Sequence, residues 1–204
     1  MNANKAYWES YYSSRTNQGL IPSQFACFVA QELRGQNYRI IDFGAGDGRD
    51  SVFFKSLGFE TIAVEGSSAA VSLLRESGLM GIELDLGSPG SDISVLLGSQ
   101  DLRTCLYGRF LLHALRDSEL QNFFELLGRI ATESDMVALE FRTTYDDGLR
   151  KETPKHFRRG IKPEFVIERL AKLGFTCIYS QQGFGYAKYH LDDAHVARLL
   201  FKRG

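Results

Sequence analysis

Cysteine is scarce in this chain of 204 residues, and the three present (Cys27, Cys105 and Cys177) lie far apart in apolar stretches. An odd, scattered set makes neither a disulfide framework nor a zinc pattern, so no metal site is expected. No apolar run approaches the roughly 20 residues of a membrane span. The first nine residues are polar, so neither an anchor nor a signal peptide is expected, and the expected compartment is the cytoplasm. Internal repeats and low-complexity tracts are missing too. With a net charge of only −1, a general nucleic-acid binder is not expected. What remains is an ordinary composition, 44% hydrophobic and 24% charged, which excludes disorder and collagen-like structure and fits one domain.

The small net charge hides an asymmetry. Residues 1–141 hold 11 of the 24 Lys+Arg and 18 of the 25 Asp+Glu, a balance of −7. Residues 142–204 hold the other 13 and 7, a balance of +6. The acidic and basic parts are therefore expected to serve different ligands.

Helical and strand-like patterns alternate along the chain. Helices are predicted over 7–15, 23–33, 50–57, 67–76, 92–97, 117–130 and 163–174, with Ser23 and either Asp117 or Ser118 as caps. Strands are predicted over 39–43, 60–64, 79–84, 102–107, 135–141, 175–180 and 196–202, and a loop over 87–91. Repeated strand–helix units imply a parallel sheet with helices on both faces. The last two strands have no helix between them and are expected to form an antiparallel pair at the edge. This is an α/β, Rossmann-like, seven-stranded sheet over residues 36–204, with residues 1–35 as a helical cap.

The run Asp42-Phe43-Gly44-Ala45-Gly46-Asp47-Gly48 sets three alternate glycines between a buried strand and a helix. Glycines there free the backbone torsions and let a ligand approach the main chain. Glu65 ends the next strand, 19 residues beyond Gly46, where an acid can accept hydrogen bonds from ribose hydroxyls. The loop lacks the Lys-Ser/Thr ending of a phosphate loop, which argues against nucleotide hydrolysis. It also has one residue, not two, between its second and third glycines, a departure from the dinucleotide fingerprint.

On these residues the chain resembles the class I AdoMet-dependent methyltransferases. Asp42, Gly44, Gly46 and Gly48 match the family's first motif, and Glu65 its ribose acid. Asp85, beside Leu86, falls where the family places an acid near the adenine amine. The resemblance implies S-adenosyl-L-methionine as cofactor and S-adenosylhomocysteine as product, with Asp42 facing the methionine portion. It also implies that Trp8, Tyr11 and Arg15 of an aromatic N-terminal helix cover the cofactor.

The acceptor is expected beyond the strand ends. Arg109 and His113 follow the fourth strand. Glu140 and Arg142 end the fifth, and His156, Arg158 and Arg159 lie in the next loop. Arg109, Arg142, Arg158 and Arg159 are expected to form a pocket for phosphate or carboxylate, because forked donors suit such anions. His113, His156 and Glu140 are the catalytic candidates, the histidines because imidazole titrates near neutrality. The Pro-Pro-Tyr signature of nucleobase amino methylation is missing. The segments 109–113, 140–143, 156–159 and 195–198 resemble a subset of bacterial methyltransferases associated with surface polysaccharides. That likeness implies O-methylation of a small anionic acceptor such as a sugar or sugar phosphate. N-methylation of a small amine or an RNA nucleobase, and AdoMet binding without turnover, are the alternatives.

Overall fold

The computed structural model describes residues 3–15, 21–86, 93–97, 102–149, 151 and 156–204. Its centre is β1 (Tyr38–Phe43), every residue of which is buried. The alternation of this strand serves two layers. Tyr38 and Ile40 join an apolar cluster with Phe25, Phe54 and Tyr107, while Ile41 and Phe43 join another with Phe123, Leu127 and Val166. A strand buried on both faces belongs inside a sheet covered by helices on each side.

On one side of β1 lie β2 (Thr61–Glu65) and β3 (Met80–Glu83), and on the other β4 (Arg103–Arg109) and β5 (Met136–Arg142), all parallel. The chain continues through β6 (Phe175–Gly183), the small hairpin β7 (Lys188–Tyr189) and β8 (Asp192–Asp193), and β9 (Val196–Arg203). β9 inserts between β5 and β6, antiparallel to both, giving the order β3-β2-β1-β4-β5-β9-β6. The expected seven-stranded sheet is found, with its antiparallel pair at the C-terminal edge. No helix separates β6 from β9 to carry the chain back for a parallel return. The β7–β8 hairpin is an addition to the expected elements, since two polar residues per strand leave no periodic signal.

Among the described residues six helices flank the sheet: α1 (Ala3–Ser13), α2 (Gln24–Glu32), α3 (Arg49–Ser56), α4 (Ser68–Glu76), α5 (Asp117–Ile130) and α6 (Pro163–Ala171). Ser23 caps α2 as expected, its Oγ accepting the Ala26 N–H at 3.0 Å. At α5 the flanking residue is Arg116, not Asp117 or Ser118, because the Glu119 carboxylate turns back to accept the Arg116 N–H at 2.7 Å. Within the predicted 92–97 helix, the structure has only a 3₁₀ turn at Ser94–Leu96; residue 92 and the 87–91 loop fall outside the described residues. The first 35 residues divide between two positions. α2 buries Phe25, Ala26 and Val29 in the layer beside α3, whereas α1 packs against α4. Among the described residues no helix is long and apolar enough to cross a membrane.

Candidate active site

A cavity of about 1110 Å³ opens where the parallel strands end, the place where open α/β sheets bind ligands. It exceeds the ~300–1,000 Å³ of an ordinary small-molecule site, and its two ends differ chemically.

One end is floored by the loop after β1. Gly44, Gly46 and Gly48 have φ of +72°, +60° and +86°, a region open to glycine because it has no Cβ. A Cβ on Gly46 would stand 2.6 Å from the Tyr12 hydroxyl, and one on Gly44 3.0 Å from Leu111. Both glycines line the cavity, and Gly48, expected with them, does not. A Cβ on Gly48 would meet Leu74 and Leu79 at 2.8 and 3.0 Å, so this glycine lets α3 start tightly against α4. Behind the loop Asp42 accepts the Ser51 hydroxyl at 2.6 Å. Burial pushes its carboxyl up from 3.8 to about 7.

Glu65 joins β2 to this loop. Its Oε1 accepts the N–H groups of Gly66 (2.8 Å) and Ser67 (3.3 Å), and its Oε2 that of Gly46 (3.2 Å). Burial raises its pKa in spite of those bonds. Asp85 and Leu86 line the cavity after β3. Asp85 lies 3.5 Å from Lys5 Nζ, and the Leu86 carbonyl accepts from Asn122 at 2.7 Å.

α1 covers this end, with Tyr7, Trp8, Tyr11 and Tyr12 lining the cavity and Arg15, just beyond the helix, beside them. Arg15 bonds Asp47 at 2.9 Å and covers the Tyr11 ring at 4.4 Å. Glu9 fastens the helix to the start of α4, accepting the hydroxyls of Ser67 and Ser68 at 2.7 Å each and the Ala69 N–H at 3.1 Å. Tyr12 and Glu9 were missed. Tyr12 stands four residues after Trp8, a helical spacing that could have placed it on the same face.

The other end gathers the basic residues. Phe110 follows β4 with φ +56°, unusual for a residue with a Cβ, and its N–H is held by the Glu140 carbonyl at 2.8 Å. Its ring lies 4.2 Å from the Arg109 guanidinium and 5.2 Å from that of Arg142. His113 is buried, and its Nδ1 accepts the Arg142 backbone N–H at 3.2 Å. The proton of the neutral ring therefore sits on Nε2. Burial, then the Arg142 and Arg158 charges, hold the His113 pKa well below its usual value, so the ring is neutral near pH 7.

Glu140 has no exposed surface and does not reach the cavity. Its two oxygens accept from Arg109 Nε at 2.8 Å and Arg198 Nε at 2.7 Å. Arg109 lines the cavity, and its two terminal nitrogens have no protein partner among the described residues. Arg142 also lines it, but its guanidinium is gripped by Asp192 (2.7 and 3.2 Å) and Asp146 (2.7 Å), with Lys151 on the same Asp146 oxygen. Arg158 packs on His156, whose ring lies 4.7 Å from Tyr7 and 4.8 Å from Trp8. Arg159 is not brought into the cavity; it pairs with Asp117, and its N–H supports the His113 carbonyl at 3.1 Å.

No family model and no curated protein matches the sequence. Solved structures do match. A SAM-dependent methyltransferase from Anabaena variabilis superposes with a TM-score of 0.74 at 16% identity, over 100% of this chain and 96% of that one. The glycopeptide N-methyltransferase MtfA, in complex with S-adenosyl-L-methionine, does so with 0.66 at 14% identity, over 94% and 98%. A protein described in connection with the conversion of a disulfide bond into a thioacetal group during echinomycin biosynthesis gives 0.70 at 14% identity, over 98% and 89%. The chain has the Rossmann-like fold of SAM-dependent methyltransferases.

Proposed function

We propose that the protein is an S-adenosyl-L-methionine-dependent methyltransferase, transferring the methyl group to an oxygen of a small anionic acceptor such as a sugar phosphate. The residues fit the cofactor. Gly44 and Gly46 leave bare backbone on the cavity where a Cβ would collide, Glu65 stands at the end of β2, and Asp85 follows β3. When bound, the cofactor supplies an activated methyl group on a sulfonium. The chain's own work is to hold the acceptor in line with that methyl and to keep water out. α1 roofs the cavity, while Arg109 and Arg158 present positive charge at its far end.

The observation that carries this reading is the pairing, in one cavity, of an adenosine-type cradle with a separate basic end. Calorimetry with S-adenosylhomocysteine tests it. Micromolar binding, about −8 kcal/mol, is expected, and Glu65→Ala should weaken it by roughly 1.5–3 kcal/mol, the range for charge-assisted hydrogen bonds. Unchanged affinity in that variant would reject the placement of the ribose.

A further inference from the structure

We propose that Arg142 is a positioning residue, which acts on the acceptor through the β7–β8 hairpin, and that this hairpin is the wall that selects the acceptor. This rests on the methyltransferase reading and deepens it. The first support is mechanical. A ribbon of two residues per strand does not hold itself in water, so its position must be set from outside. Asp192 of β8 is buried, and its two oxygens accept from both terminal nitrogens of Arg142, at 2.7 and 3.2 Å. A forked guanidinium on a carboxylate fixes direction as well as distance. The same guanidinium reaches Asp146 at 2.7 Å, and Asp146 accepts the His195 N–H at 3.1 Å. Arg142 is the last residue of β5, so the hairpin is tied to the sheet where the cavity opens. At the hairpin's base the Tyr186 carbonyl accepts from Arg198 at 2.8 Å, and Ala187, Ala194 and Val196 pack with Phe110.

The second support is what the hairpin presents. Lys188, Tyr189 and His190 are exposed and line the cavity. His190 turns the chain with φ +52°, a region uncommon for a residue with a Cβ, so its ring keeps its direction only while both strands are fixed. α1 lies within reach: burial raises the Tyr11 pKa, and the Tyr189 hydroxyl adds to the rise. An acceptor between hairpin and helix meets an amine, a phenol and an imidazole. Arg142, with Asp146 and Asp192 on its terminal nitrogens, sets where those groups stand.

Calorimetry and labelled methyl transfer test this on the wild type, Arg142→Lys, Asp192→Asn, and a chain with residues 188–193 replaced by two glycines. Arg142→Lys keeps the charge without the fork, and Asp192→Asn keeps the shape without the charge. Affinity for S-adenosylhomocysteine should stay within about twofold in all of them, because Gly44, Gly46 and Glu65 lie at the other end of the cavity. Methyl transfer is offered to sugar phosphates, aromatic carboxylates, nucleotides and primary amines. For the class that takes label, KM should rise about tenfold or more in each variant, kcat should change less, and the preference over the other classes should shrink. Arg142→Lys combined with Asp192→Asn should do no worse than the weaker of the two alone, since both side chains belong to one device. Should Asp192→Asn not fold, Arg142→Lys and the shortened chain carry the test.

If Arg142 itself held the acceptor, Asp192→Asn would uncover its guanidinium and KM would stay or fall; that result overturns the inference. So do an unchanged KM and preference in the shortened chain. A lower unfolding temperature with KM and preference unchanged makes the ion pair merely structural and overturns it too. Loss of S-adenosylhomocysteine binding in the variants, or label in no class while the wild type still binds it, does the same. Failure of S-adenosylhomocysteine to bind the wild type defeats the broader methyltransferase reading instead.

Discussion

With its carboxyl held up at about 7 by burial, Asp42 is half ionised near neutrality, directly behind the glycine loop. A carboxyl raised above its unfolded value binds its proton more tightly in the folded chain. Its contribution to stability is therefore present at low pH and is lost as pH climbs from about 4 to about 7. Asp42→Asn removes this linkage and retains an acceptor for Ser51. In thermal unfolding, the wild type should lose stability relative to the variant between about pH 4 and 7. A cationic ligand group near Asp42 favours the ionised form, so S-adenosyl-L-methionine binding at about pH 6 should release a proton. The calorimetric heat should then depend on the buffer's ionisation enthalpy in the wild type and not in the variant. The same buffer dependence in both proteins would show that another group carries the proton. That Asp42, Gly44, Gly46 and Glu65 stand on the cavity was legible in the sequence because their positions are local, set by one strand end and one turn. Arg142 and Arg159 were not, because their partners Asp192 and Asp117 lie 50 and 42 residues away, and no local pattern tells a paired arginine from an open one.

Among the elements, α1 was expected as a roof from its aromatic residues, but what fastens it was hidden. Glu9 reaches the exposed N–H and hydroxyl groups at the start of α4, where a helix N-terminus favours negative charge. The Ser68 and Ser67 hydroxyls hold its pKa below the ordinary carboxylate value, so the contact is intact at neutral pH and is lost as pH falls through that lowered pKa. Ser67 also gives its N–H to Glu65, which links the fastening to the proposed ribose acid. Glu9→Ala should leave the sheet folded, speed proteolysis between α1 and α2, and weaken S-adenosylhomocysteine binding a few-fold, about the effect of losing a cap. Unchanged protease sensitivity and affinity would make the contact incidental. The strands of the parallel half were legible from short apolar stretches bounded by turn residues, β3 least so because Gly81 interrupts it. β9 was legible as a strand too, but its insertion between β5 and β6 depends on tertiary pairing, and the β7–β8 hairpin on contacts such as that of Asp192 with Arg142.

At the scale of the molecule, the −7 and +6 parts of the sequence do not map onto separate ends of the cavity, since Arg109 and His113 of the first part stand with Arg142 and Arg158 of the second, and the charge that acts there is what survives pairing. Most of the basic excess expected at the acceptor end is cancelled locally: Arg142 by Asp146 and Asp192, Arg159 by Asp117. What remains is the Arg109–Glu140–Arg198 group, two arginines on one carboxylate. Under the proposed function, the ligand at the loop end carries a net positive charge as S-adenosyl-L-methionine and has lost the sulfonium as S-adenosylhomocysteine. Salt distinguishes the two ends. Raising ionic strength from about 0.05 to 0.5 M shortens the screening length from roughly 14 to 4 Å. Binding of phosphate or benzoate at the basic end should weaken several-fold over that range. Binding of S-adenosylhomocysteine, which rests on directed hydrogen bonds and apolar contact with the roof, should change less than about twofold. Equal salt dependence of the two ligands would mean that the surviving charges do not govern the acceptor end, and that the charge division along the chain is a property of its outer surface.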